Sequence, residues 1–86
     1  MRVSVDISLY PLTESYVEPI LRFIEQLECN PKLRVVRNSL STQVFGDYAD
    51  VMAAMDMEIE AVFSAMPDSV FVLKLVGHDR YPVNDD

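Results

Sequence analysis

The sequence predicts an α+β domain in which the elements follow one another in the order βαββαβ. Residues 2–10 alternate apolar and polar side chains with a period of two, which is typical of a half-buried strand. Residues 17–27 and 47–66 repeat apolar side chains at helical spacing, and the segments between and after them are short and rich in β-branched residues. We expect a single domain over residues 1–78, followed by a polar C-terminal tail at 79–86.

The first strand and the first helix both have clear sequence signals. Apolar side chains at every second position point to one side of the strand at 2–10. Ser15 and Glu18 then form a capping-box pattern, in which two side chains satisfy the first free N–H groups of a helix. Asn30-Pro31 ends this helix, because proline cannot continue the hydrogen-bonding pattern.

The second half of the chain adds two short strands, a helix and a last strand, which we place at 33–38, 41–45, 47–66 and 69–76. A hairpin turn near Ser39-Leu40 joins the two short strands, and Asp47 is the expected N-cap of the helix. The apolar stripe of this helix consists of Val51, Met55, Ile59, Val62 and Met66.

Right-handed crossovers turn this order into a four-stranded antiparallel sheet of order 4-1-3-2, with both helices on one face, which is the ferredoxin-like arrangement. The face without helices is called the open face below. It carries the alternate residues of the first strand, Ser4, Asp6, Ser8 and Tyr10. The last strand is apolar on both sides apart from Lys74, and an exposed strand of this kind tends to aggregate. We therefore expect a symmetric partner subunit to cover it.

Composition and charge exclude several classes of function. The 14 acidic and 7 basic residues give a formal charge of −7, whereas nucleic-acid binding needs cations to neutralise phosphates. We expect no membrane partner and a cytoplasmic location, because no apolar run approaches the ~20 residues of a transmembrane helix and the start is unlike a signal peptide. One cysteine and one histidine offer no metal-ligand spacing and no nucleophile–base pair. The sequence thus predicts no metal, no cofactor, no catalytic residue and no enzymatic activity.

Polar side chains collect where the first strand ends beside the start of the third. Ser8 and Tyr10 are expected close to Ser41 and Thr42, with Asn38 nearby at the hairpin. Hydroxyl groups and an amide beside an aromatic ring suit a planar ligand with ring nitrogens. The same residues also fit an ordinary solvated sheet face, and their pattern does not choose between these readings.

Two segments at these positions carry a resemblance to a known family. Residues 7–12 read Ile-Ser-Leu-Tyr-Pro-Leu, and residues 38–48 read Asn-Ser-Leu-Ser-Thr-Gln-Val-Phe-Gly-Asp-Tyr. The first is similar to the first-strand motif of the YkoF-like thiamine-binding protein family. The second is similar to that family's second motif, in which an asparagine, a small residue, a threonine and a glycine lead into the second helix. The resemblance extends from residue 3 to about residue 76.

The resemblance implies a ferredoxin-like fold, a homodimer or homotetramer formed through the open sheet faces, and binding of thiamine or its hydroxymethylpyrimidine moiety. Carried over position by position, it implies Ser8 and Thr42 as hydrogen-bond partners of the aminopyrimidine, with Ser41 where relatives often have glycine. Asp6 and Asn38 are further candidates, since Asp6 could accept a hydrogen bond from an exocyclic amine. We expect a carrier or sensor; the alternative is an oligomerisation or regulatory module that recognises a protein and binds no small ligand.

Overall fold

The computed structural model describes residues 1–12 and 17–81, and it has the predicted order of elements. These elements are β1 (Arg2–Tyr10), α1 (Val17–Glu28), β2 (Arg34–Arg37), β3 (Thr42–Asp47), α2 (Tyr48–Ala65) and β4 (Val70–Val76). The four strands form one antiparallel sheet of order β2-β3-β1-β4, which confirms the predicted order and fold class. The capping-box prediction at Ser15 lies outside the described residues. Neither described helix is both long enough and apolar enough to cross a membrane.

The register of β1, a central strand, determines which side chains share a face. Ile7 lies opposite Thr42 on β3 and opposite Leu73 on β4. Val5 likewise lies opposite Val44 and Leu75. Directly opposed residues of antiparallel strands point to the same side of the sheet, and neighbours along a strand point to opposite sides. All of these residues therefore face the helices.

The hydrophobic core lies between the sheet and the two helices. Its largest fully buried side chains are Ile7, Leu27, Val3, Val5, Val44 and Val51. Phe23 and Ala54 are also buried, and the helical spacing read from the sequence had not placed them in the core. Leu21, one of the apolar residues at helical spacing within residues 17–27, is exposed. Burying side chains of this kind contributes roughly 1.5–3 kcal/mol each, and that is the main term that holds the helices to the sheet.

Close packing surrounds Gly46, where β3 leads into α2. A Cβ atom at this position would lie 3.1 Å from Leu33 Cδ2 and 3.2 Å from both Val51 Cγ2 and the carbonyl oxygen of Lys32. Those distances are shorter than ordinary van der Waals contacts. The absence of a side chain at Gly46 thus lets the start of α2 approach the segment that precedes β2.

The start of α2 is capped by the backbone and not by a side chain. Asp47 occupies the N-cap position with extended backbone angles, as predicted, but its side chain makes no capping hydrogen bond among the described residues. The amide of Tyr48 instead donates to the carbonyl oxygen of Met1 at 2.8 Å. Asp47 Oδ1 also lies 3.7 Å from Arg2 Nη1. A hydrogen bond and an ion pair therefore both hold the N-terminus of the chain to the start of α2.

A C-terminal strap, defined here as residues 77–81, turns back over the open face after β4. Ser4 Oγ donates a hydrogen bond to the carbonyl oxygen of His78 at 2.7 Å and accepts one from the amide of Arg80 at 2.7 Å. The Tyr81 ring meets Phe45 edge-on, with 5.2 Å between ring centroids. The strap therefore covers the end of the open face that lies furthest from the β2–β3 hairpin.

The strap includes the first residues of the predicted polar tail. The side chains of His78 and Asp79 are exposed, while the backbone around them is fixed to Ser4. Residues 82–86 lie outside the described part of the chain. The domain limits given above stay a prediction.

Candidate functional site

Beyond the strap, the open face becomes polar at its centre. Asp6 on β1 lies opposite Gln43 on β3 and opposite Lys74 on β4. Because opposed side chains point to the same side, all three lie on the open face. They form a polar row across the three strands.

Asp6 of this row also lies close to two other predicted residues. The three residues Asp6, Ser8 and Ser41 are called the open-face cluster. Ser41 Oγ donates a hydrogen bond to Asp6 Oδ1 at 2.5 Å. Ser8 Oγ donates to the carbonyl oxygen of Leu40 at 3.3 Å. All three side chains are partly buried, so each is oriented by its surroundings and still reachable from solvent.

The open-face cluster offers both acceptors and donors to a ligand. A carboxylate can accept hydrogen bonds at both oxygens, and each hydroxyl can donate once and accept twice. The bond from Ser8 is long, so its hydroxyl can rotate towards a ligand at little cost. The cluster can thus read a flat molecule that carries an amine next to a ring nitrogen.

Thr42 does not belong to this cluster. It lies opposite Ile7, whose side chain is in the core, and it is only 4% exposed. Because Ser41 points to the open face, the next residue along the chain must point to the helices. The prediction that Thr42 lies beside Ser8 on the open face is wrong.

The two remaining predicted residues flank the cluster. Tyr10 is exposed on the open face, opposite Val70 and two positions beyond Ser8. The backbone amide of Asn38 donates a hydrogen bond to the carbonyl oxygen of Ser41 at 3.0 Å, and this bond closes the hairpin that positions Ser41. The structure therefore brings Asp6, Ser8 and Ser41 together and places Tyr10 and Asn38 at their margin. A ligand-binding role for any of the six residues stays a prediction.

Sequence reasoning missed three polar residues near the cluster. Gln43, Lys74 and Arg80 line a groove of about 230 Å³ that Asp6 also lines and that the strap bounds at one end. The alternation of β3 could have placed Gln43 on the same side as Ser41. The antiparallel register could have placed Lys74 beside Asp6. Arg80 had no local signal, because only the fold of the strap brings it to the sheet.

The best-defined ion pair lies away from the open face. Arg37 at the end of β2 donates two hydrogen bonds to the carboxylate of Glu28, at 2.8 Å and 2.7 Å. These hydrogen bonds lower the pKa of Glu28 below its ordinary value, and the positive charge of Arg37 acts in the same direction. The pair is exposed to solvent and links the last turn of α1 to β2.

A larger cleft of about 660 Å³ separates the two helices on the far side of the molecule. Apolar side chains, including Phe23, Val62 and Met66, line it, and the ion pair of Glu18 and Arg22 lies at its rim. None of the six predicted site residues lines this cleft. Within residues 1–12 and 17–81, no group of three or more histidine, cysteine, aspartate or glutamate side chains could hold a metal ion.

Comparison with known families gives a direct match. The model of the YKOF-related family matches residues 2–75, which is most of the chain. The protein belongs to the YKOF-related family. The match confirms the resemblance seen in the two sequence motifs. No curated protein matches the chain significantly.

Solved structures support the same fold. Protein SP2199 from Streptococcus pneumoniae has a TM-score of 0.83 at 16% identity, with 93% of this chain and 90% of that chain covered. A Thermotoga maritima protein provisionally described as a thiamine biosynthesis or salvage protein has a TM-score of 0.80 at 20% identity, with 91% and 85% covered. A hypothetical protein from Methanocaldococcus jannascii has a TM-score of 0.77 at 21% identity, with 98% and 88% covered. At these identities the likeness shows a shared fold.

Proposed function

We propose that this protein binds thiamine or its hydroxymethylpyrimidine moiety on the open face, and that it acts as a carrier or sensor within an oligomer and not as an enzyme. Membership of the YKOF-related family supports a thiamine-related role. The structural likeness to a protein provisionally placed in thiamine biosynthesis or salvage points the same way. The observation that carries the proposal is the open-face cluster, in which Ser41 is hydrogen-bonded to Asp6 and Ser8 to the carbonyl oxygen of Leu40.

The chemistry of an aminopyrimidine matches the groups of this cluster. Its exocyclic amine is a donor, for which the carboxylate of Asp6 is a suitable acceptor. Its ring nitrogens are acceptors, to which Ser8 and Ser41 can donate after rotation of their hydroxyl groups. Tyr10 and Val72 lie on the same face and supply apolar contact for the ring. The overall charge of −7 also favours the cationic thiazolium of thiamine.

A second subunit would complete this shallow site. β4 lies at the edge of the sheet, and its open-face residues Val70, Val72 and Val76 are exposed, with Val72 at 52%. Apolar strand edges of this length are normally covered. In the proposed assembly a homodimer or homotetramer covers β4 and shields the bound ring from water.

Isothermal titration calorimetry with thiamine and with hydroxymethylpyrimidine tests the proposal. The wild-type protein should bind at least one of them. Asp6→Asn should weaken binding about tenfold or more, and Ser8→Ala should weaken it by a smaller factor, because its hydrogen bond to a ring nitrogen joins two uncharged groups. A hydrogen bond that involves a charged group is worth about 1.5–3 kcal/mol, and each ~1.4 kcal/mol changes affinity tenfold. Thr42→Val is the matched control, because it removes a hydroxyl of a neighbouring strand residue that faces the helices.

The variants also distinguish the two sides of the sheet. Loss of binding in Thr42→Val, with Asp6→Asn unaffected, would place the ligand on the helical side and contradict the proposed site. A binding ligand should also raise the melting temperature, because a concentration of 100 times the dissociation constant adds roughly 2.7 kcal/mol of stability. Absence of both heat and thermal shift would refute thiamine binding.

The second candidate is an oligomerisation or regulatory module without a small ligand. The exposed apolar edge of β4 supports it, because a protein partner that covers this edge would account for the surface without any small ligand. Native mass spectrometry of protein purified from cells separates the two candidates. It reports the subunit number together with the mass of any small molecule that the protein retains.

A further inference from the structure

The groove beside the open-face cluster has a local charge opposite to that of the whole protein. The chain carries a formal charge of −7, with only 7 basic residues. Two of them, Lys74 and Arg80, line the same groove of about 230 Å³, and the lining carboxylate is Asp6. The Asp6 carboxylate already accepts a hydrogen bond from Ser41. The groove thus concentrates positive charge on an acidic protein.

The two cations approach the groove from different elements. Lys74 lies on β4 directly opposite Asp6, so its side chain lies on the open face as part of the polar row. Arg80 lies on the strap, and its amide is held by Ser4 Oγ at 2.7 Å. Ser4 and Asp6 are successive open-face positions of β1, about 7 Å apart along the strand. An anion in the groove would therefore meet one cation from the sheet edge and another from the strap.

The strap fixes Arg80 before any ligand binds. The backbone carbonyl of His78 and the backbone amide of Arg80 are both hydrogen-bonded to the hydroxyl group of Ser4. The next residue, Tyr81, packs against Phe45 and lies 4.6 Å below the guanidinium of Arg34. A backbone ordered in this way loses little entropy when the side chain binds, and a guanidinium can bind a phosphate with two parallel hydrogen bonds.

We infer that this groove is a subsite for a phosphate group, and that the ligand of the open face is a phosphorylated heteroaromatic compound whose phosphate contacts Lys74 and Arg80. The inference rests on the proposed function, because the open-face cluster must hold the ring. With the ring at Asp6 and Ser8, a one-carbon arm that extends towards Ser4 brings its phosphate into the groove. The spacing of about 7 Å between successive open-face positions is comparable to the length of a single ring with such an arm.

The test compares three compounds by calorimetry: hydroxymethylpyrimidine, its phosphate monoester, and inorganic phosphate alone. The monoester should bind about tenfold or more tightly than the alcohol, because each charge-assisted hydrogen bond contributes roughly that factor. Arg80→Gln and Lys74→Gln should each remove most of this preference and change the affinity for the alcohol much less than the affinity for the monoester. Added salt should weaken the binding of the monoester and have little effect on the alcohol.

Arg22→Gln is the matched control for charge, because Arg22 lies on α1, where it pairs with Glu18, away from the open face. It should keep the full preference for the monoester. Unchanged urea unfolding of Arg80→Gln and Lys74→Gln would show that the side chains are lost without loss of the fold.

The outcomes separate this inference from the proposed function. Equal binding of alcohol and monoester, or a preference that survives both substitutions, would overturn the phosphate subsite and leave the proposed function standing. Binding of inorganic phosphate that depends on Lys74 and Arg80, without binding of the alcohol or of thiamine, would support the subsite and overturn the proposed function. If none of the three compounds binds, the phosphate subsite is overturned, and the proposed function is overturned with it when thiamine does not bind either.

Discussion

Replacement of Ser4 by alanine tests whether one hydroxyl group holds the strap to the sheet. Ser4 is buried, and its hydroxyl makes two hydrogen bonds of 2.7 Å to the strap backbone, one as donor and one as acceptor. The variant removes both bonds and leaves the carbonyl of His78 and the amide of Arg80 without this partner. No other change in the sheet is required, because alanine fits the space of serine.

The size of the effect follows from these two bonds. Each contributes about 0.5–1.5 kcal/mol net, so their sum lies between about 1 and 3 kcal/mol. The strap backbone can reach water once it is released, which favours the lower part of that range, about 1–2 kcal/mol. For a domain of this size, 1 kcal/mol changes the melting temperature by roughly 4–8 °C.

Ser8→Ala is the matched control, because it makes the same substitution on the same face of the same strand. Ser8 makes a single exposed bond of 3.3 Å, so its loss should cost less than about 0.5 kcal/mol. Urea unfolding followed by circular dichroism gives both values. Hydrogen exchange of the Arg80 amide, observed by NMR, should accelerate in Ser4→Ala and not in Ser8→Ala. Equal stability of the two variants, with a protected Arg80 amide, would refute this account of the strap.

Three further predictions concern packing, charge and assembly. Gly46→Ala should destabilise the protein by about 1–3 kcal/mol in urea unfolding, because the new methyl group meets tight contacts, whereas Gly77→Ala, with open space around it, should be nearly neutral. The pKa of Glu28 in the folded protein is lowered, so its pairing with Arg37 stabilises the protein above the ordinary carboxyl pKa, and this stabilisation is lost as the pH falls through the folded value. Arg37→Gln should therefore raise the pKa of Glu28 in an NMR titration, and an unchanged pKa would contradict the pairing. Val72→Lys should shift the proposed oligomer towards monomers in native mass spectrometry, because it places a charge on the apolar edge of β4. A subunit number that is unchanged from the wild type would contradict β4 as the interface of that oligomer.

The sequence predicts the fold well because its periodicities are clean. Residues 2–10 alternate strictly, and the observed β1 has the predicted bounds. The helices appear where apolar residues recur at helical spacing, and handedness rules then leave few arrangements of four strands. The remaining differences in the bounds of strands and helices are a few residues at their ends.

The prediction that Thr42 lies on the open face is wrong because of the apolar pattern of β3. Val44 and Phe45 are adjacent apolar residues, so the alternation of this strand does not itself show which set faces the core. A shift by one residue moves every side chain to the other face. In the structure Val44 faces the helices, and Phe45 is only 2% exposed on the open face because Tyr81 packs against it.

That contact joins residues far apart in the chain, which explains why sequence reasoning also missed the strap. The segment after β4 is polar and carries no periodicity, so it reads as a solvated tail. Its position depends on Ser4, Phe45 and Arg34, whose open-face neighbourhood exists only after the sheet has formed. The contribution of Arg80 to the groove follows from the same long-range packing.

The most direct test of the proposed site is a map of amide chemical-shift changes, recorded by NMR during a titration with hydroxymethylpyrimidine. Binding at the open-face cluster predicts the largest changes at Asp6, Ser8 and Ser41, with small changes along the two helices. Changes concentrated between α1 and α2, or a complete absence of changes at saturating hydroxymethylpyrimidine and, in a second titration, at saturating thiamine, would contradict a binding site on the open face.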